Sequence, residues 1–104
     1  MAYYFISRHN GAAQWFKQQG IEIKQHYFHC TDMSVFNKED VVYGNLPLHL
    51  IEILTKQGVR YFNLVLDVPA HLRGTELSGR DFEDCEPRFI EYKVVAIKTM
   101  DIVK

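Results

Sequence analysis

The sequence predicts an α/β domain: a sheet of about five, mainly parallel strands with helices on both faces. Three observations lead there. Strand-like and helix-like hydrophobic patterns alternate along the chain, which is how strand–helix–strand crossovers appear in a sequence. The run from Arg60 to Leu66 is apolar almost throughout, as a strand covered on both faces must be. Two strand-like segments lead straight into helix starts, at Ser7–Gly11 and Gly44–Pro47.

The elements follow in order. Tyr3 to Ser7 is a short apolar strand, and Arg8-His9-Asn10-Gly11 reads as a polar turn. From Ala12 to Gln19 the period becomes helical, with Ala12, Trp15 and Phe16 on one face and Gly20 as the stop. Ile21 to Cys30 alternates as a strand, with Ile21, Ile23 and Tyr27 pointing one way. Thr31 to Asp40 is polar and reads as loop, and Asp40 to Gly44 as a short buried strand. Asn45 is a good helix N-cap, with Pro47 in the first turn, where its missing N–H costs nothing. That helix runs to Gln57 and stops at Gly58, with Leu50, Ile51 and Leu54 inward and a Glu52–Lys56 pair outward. After the Arg60–Leu66 strand, Pro69 ends the extension. Ser78 is placed to cap a short helix over Gly79 to Cys85. A last strand spans Arg88 to Ile97, with Ile90, Tyr92, Val94 and Ala96 as its apolar face.

Composition narrows the function classes. The 104 residues are 47% hydrophobic, enough for one core and no second domain. No apolar run approaches the roughly 20 residues that cross a bilayer, and the first residues lack the pattern of an export signal. A cytoplasmic protein without membrane attachment is expected, with Cys30 and Cys85 as reduced thiols. Lys and Arg number 12 against 13 Asp and Glu, a net charge of −1. That argues against a surface for long nucleic acid but not against a small anion held by a few focused groups.

In open parallel sheets ligands bind beyond the carboxyl ends of the strands. This points to three loops: Ser7–Gly11, Gly44–Pro47 and Asp67–Gly74. In the first, main-chain amides and a helix dipole favour an anion. Arg8 can clamp phosphate oxygens, and His9 can move a proton near neutral pH. The competing reading is a plain turn with a solvated arginine. Gly44, Asn45 and Leu46 form a second junction of the same kind, for which helix capping is the simpler account. Asp67 ends the most buried strand, where it can orient a hydroxyl, act as a base or cap the next loop. Arg73 and Glu76 follow and can pair with each other. Tyr43 is a candidate for stacking on a base, although burial explains it as well. A metal site is poorly supported: His26 and His29 are three apart on a strand, hence on opposite faces, and His26 and Cys30 are about 13 Å apart along it. No cofactor motif is present.

Three segments taken together resemble a known family. They are Tyr4-Phe5-Ile6-Ser7-Arg8-His9-Asn10-Gly11-Ala12 with Trp15, Gly44-Asn45-Leu46-Pro47, and Leu66-Asp67-Val68-Pro69 with Arg73-Gly74-Thr75-Glu76-Leu77-Ser78. Their order and spacing resemble the small stand-alone CRISPR-associated proteins of the Csx type, encoded beside type III systems. The resemblance runs from about Tyr3 to Val95. It implies a compact Rossmann-like fold, similar to the CARF sensor domains. It also implies ring-nuclease activity: cleavage of cyclic oligoadenylate, above all cyclic tetra-adenylate, which ends an antiviral signal. On this reading a ribose 2′-OH attacks the adjacent phosphorus without metal or cofactor. The catalytic candidates are His9, Arg8 and Asp67. Ser7, Asn10, Gly11, Gly44, Asn45, Leu46, Arg73 and Glu76 contact the ligand, and a homodimer repeats the site about its axis. The sequence departs from the family pattern at Asn45, where a Thr is common, and at Asn63, where a His is common. A non-catalytic module that only sequesters the messenger or signals to a partner is the alternative.

Overall fold

The computed structural model describes residues 2–8, 10–75 and 79–102, with only the backbone described for residues 10, 79, 80 and 82. The sheet is built from β1 (Tyr3–Ile6), β2 (Gln25–Tyr27), β3 (Val41–Gly44), β4 (Arg60–Val65) and β5 (Arg88–Tyr92). The helices are α1 (Asn10–Gln18), α2 (Leu48–Gln57) and α3 (Gly79–Asp84). Strand order is β2-β1-β3-β4-β5. The first four strands run parallel and β5 pairs antiparallel with β4. The expected α/β class, with a mainly parallel five-stranded sheet, is what the chain adopts.

Strand pleating divides the core into two layers. On one face Phe5, Leu64 and Cys85 pack with Ala12, Trp15 and Phe16 of α1. The Phe5 and Phe16 rings stack 4.8 Å apart, and Tyr43 sets its edge against Phe16 and Phe89. On the other face Tyr4, Ile6, Val42 and Tyr61 pack with Leu50, Ile51 and Leu54 of α2. Met33 and Phe36 complete that layer. They belong to a segment read as polar loop, which holds a 3-10 turn over Met33–Val35 capped by Asp32. Only two of its side chains reach the core, too few to leave a periodic signal.

Both predicted glycine stops are real: Gly20 and Gly58 adopt left-handed conformations, φ 77° and 78°. Four expectations need correction. First, α1 starts at Asn10, so Asn10 and Gly11 belong to its first turn rather than to a preceding loop. Second, β2 is three residues long instead of ten: among the described residues it pairs with β1 alone, a strand of four residues. Ile21 and Ile23 pack on the α1 face, whereas Tyr27 packs on the α2 face. Third, β5 ends at Tyr92, which pairs with Tyr61 near the start of β4. Beyond it the chain crosses α2, the Val94 amide donating to Thr55 Oγ1 and the Ala96 amide to Glu52 Oε2. It is Phe89 that packs into the core, while Ile90 and Tyr92 are exposed. Fourth, Pro47 rather than Asn45 is the N-cap of α2, with no side-chain cap.

Candidate functional site

β1 feeds α1 and returns as β2 on one side, while β3 feeds α2 and returns as β4 on the other. The order therefore reverses between β1 and β3, and such a switch point opens a crevice at the carboxyl ends of the strands. A cavity of about 400 Å³ lies there. Ile6, Ser7 and Arg8 line it from the end of β1, and Asn45, Leu46, Pro47 and Leu50 from the β3–α2 junction. Phe28, His29, Cys30 and Thr31, which follow β2, close the third side. The volume is within the range of small-molecule pockets, at its lower end.

Close backbone packing holds the two junctions side by side. A Cβ on Gly44 would lie 2.4 Å from the Ile6 carbonyl oxygen, so only glycine fits this approach of β3 to β1. Asn45 Nδ2 donates to the Leu64 carbonyl at 2.7 Å, anchoring the junction to β4. The Leu46 amide donates to the Tyr61 hydroxyl at 2.9 Å, and that hydroxyl donates to Asn63 Oδ1 at 2.7 Å. Burial pushes the Tyr61 phenol up to about 12, so it stays protonated and keeps both bonds at neutral pH. Asn63 is thereby committed to positioning the loop.

Across the cavity Ser7 is buried. Its amide donates to the Tyr27 carbonyl, and its carbonyl accepts from His26 Nε2 at 2.9 Å. His26 stacks on Phe5, on the opposite face of the sheet from the core layer against which Cys30 packs. At the mouth Arg8 Nη2 donates to His29 Nδ1 at 2.9 Å. Phe28, 56% exposed, presents its ring beside them. On one small cavity stand a guanidinium and an open aromatic face, groups that can hold a phosphate and a base, and beside them an imidazole, which can move a proton.

Of the residues singled out from sequence, Ser7, Arg8, Asn45 and Leu46 share this cavity. Gly44 shapes it without lining it, and Gly11 is buried in α1. His9 and Glu76 lie outside the described residues, as does the side chain of Asn10. Asp67 and Arg73 are not brought to the cavity. The Asp67 carboxylate pairs with Arg88 at 3.1 Å, its amide donates to the Cys85 carbonyl, and Arg73 Nε reaches the Val68 carbonyl. Tyr43 sits among Phe16, Phe62 and Phe89, and so is a packing residue. The expected cradle of free amides is also thinner than the sequence suggests. Pro47 has no N–H, the Leu46 amide is taken by Tyr61, and the Leu50 and Ile51 amides donate to the Pro47 carbonyl. Among the described residues, positive charge at the mouth rests on Arg8.

Sequence reasoning missed Phe28 and His29. The signal was present: both directly follow a parallel strand, where ligand loops begin. Among the described residues no three His, Cys, Asp or Glu side chains are grouped to hold a metal ion. Nor is any helix there long and apolar enough to cross a membrane.

Fold and cavity together define a small α/β protein of the doubly wound class, with an open crevice at its switch point. Residues 4–95 match the family described as "Putative CRISPR-associated protein (Cas_VVA1548)", and the chain belongs to that family. No curated protein and no solved structure matches it.

Proposed function

We propose that the protein is a ring nuclease, binding cyclic oligoadenylate, most readily cyclic tetra-adenylate, and cleaving it to end type III CRISPR signalling. The observation that carries this reading is the cavity at the β1/β3 switch point, where Arg8, His29 and the exposed Phe28 ring stand together. An adenine stacks on Phe28, and a phosphate takes the Arg8 guanidinium. Membership of a CRISPR-associated family supports the choice of ligand.

The chemistry asked of the protein is modest. A ribose 2′-oxygen attacks the adjacent phosphorus and the 5′-oxygen departs, leaving a linear product with a 2′,3′-cyclic phosphate. Holding the attacking and leaving oxygens in line lowers the barrier by positioning. Arg8 offsets charge that grows on the phosphoryl oxygens. Proton transfer is expected of a histidine, and His9 is the candidate by resemblance. A 400 Å³ cavity takes a nucleotide but not a ring of four. The ring therefore lies across a two-fold axis between two copies, each supplying one cavity. The setting is the cytoplasm, where Cys30 and Cys85, on opposite faces of the sheet, stay reduced.

The binding-only alternative has one specific support. Asn63 is a carboxamide with no basic nitrogen, and Asp67 is paired with Arg88 away from the cavity, so neither serves as a base there. Incubating the purified protein with cyclic tetra-adenylate in EDTA, followed by chromatography, separates the readings. Linear oligoadenylate beyond one equivalent per site is the expected result. Retention of an intact ring supports the sequestering module, and neither cleavage nor retention overturns both.

A further inference from the structure

We propose that His29 is the catalytic base of this site and that Arg8 holds it in reserve until a phosphate arrives. The inference rests on the ring-nuclease reading and goes further by assigning the proton-transfer step. A guanidinium has only donors, so the 2.9 Å contact from Arg8 Nη2 makes His29 Nδ1 the acceptor. In that contact the imidazole carries its proton on Nε2, and its single lone pair, on Nδ1, is masked by Arg8. The same guanidinium is the cation on the cavity wall best placed to meet a phosphate, and a phosphate oxygen is a stronger partner for it than a neutral nitrogen.

Binding then does two things at once. Arg8 turns to the phosphate, and the Nδ1 lone pair of His29 is released beside the bound nucleotide. The freed nitrogen takes the proton of the 2′-OH as the 2′-oxygen forms its bond to phosphorus. The P–O5′ bond breaks, and the departing oxygen takes a proton from water. Imidazolium His29 returns its proton to solvent, and Arg8 re-forms the resting contact when product leaves. The pairing also keeps the base masked while the cavity is empty.

The test compares wild-type protein with His29→Ala in single-turnover cleavage of cyclic tetra-adenylate in EDTA. Binding of a non-cleavable ring whose 2′-hydroxyls are replaced by hydrogen is measured beside it, with circular dichroism to confirm folding. The variant is expected to bind this analogue within about threefold of wild type. It is expected to lose roughly 100-fold or more in rate and to recover part of it in added imidazole, which a purely structural role would not allow. Wild-type cleavage that the variant retains within threefold overturns the His29 assignment and leaves the ring-nuclease reading standing. So does a loss of rate matched by an equal loss of binding and not rescued by imidazole. A wild-type protein that leaves the ring intact overturns both.

Discussion

The Tyr61 hydroxyl sits between the Leu46 amide and Asn63 Oδ1, on a buried side chain near the start of β4. Replacing it with Phe leaves a loop amide without its acceptor, at a cost of about 1–3 kcal/mol in urea denaturation. The pH dependence has a definite sign. Burial raises this phenol from 10.0 to about 12. Its stabilising contribution is therefore complete below about pH 10 and is lost as the pH rises through about 12. Tyr61→Phe should remove that part of the alkaline transition, which wild-type and variant unfolding curves between those values would show. At the mouth, Phe28 is more than half exposed and makes little contribution to the core. Phe28→Ala should leave the melting temperature within a few degrees of wild type. It should weaken ring binding by the stacking energy of one base, about 1–3 kcal/mol by titration calorimetry.

At the scale of elements, some of the structure was readable and some was not, for physical reasons. The helix α2 was readable because Leu50, Ile51 and Leu54 mark a face and Gly58 supplies a left-handed stop. The strand β2 was overextended because Ile21 and Ile23 alternate as strand residues do, although they are held by α1 rather than by a neighbouring strand. The same error hid His29. Strand parity set it opposite His26, but the chain leaves the sheet after Tyr27 and turns His29 to Arg8. Asp67 lies beyond the end of β4, which stops at Val65, and its partner Arg88 arrives only through the antiparallel pairing of β5, 21 residues later. No local pattern reports that. Two substitutions test the packing. Phe16, fully buried between Phe5, Tyr43 and Phe89, should cost about 3–5 kcal/mol when replaced by Ala. Gly44→Ala drives a methyl group into the Ile6 carbonyl. It should spread β1 from β3, lowering both the unfolding midpoint in urea and the ring affinity by titration.

For the whole molecule, the near-zero net charge and the placement of Arg8 mean that the proposed anion site is local to one cavity rather than spread over a basic surface. Ring binding should therefore depend weakly on salt, unlike binding to a long polyanion. The extended segment after Tyr92 touches α2 through Val94 and Ala96, but beyond them Ile97 and Ile102 are 98% and 85% exposed. A chain ending at Ala96 should keep the melting temperature within a few degrees, as a thermal scan would show. The central claim is that this crevice, and no other surface, takes an adenylate by its base and its phosphate together. A crystal structure of the protein with the non-cleavable cyclic tetra-adenylate analogue tests it most directly. Expected are an adenine against Phe28, a phosphate within hydrogen-bond distance of Arg8, and His29 Nδ1 released from Arg8 and facing the substituted 2′-position. A ring bound elsewhere, or an Arg8–His29 contact left intact beside a bound ring, would contradict it.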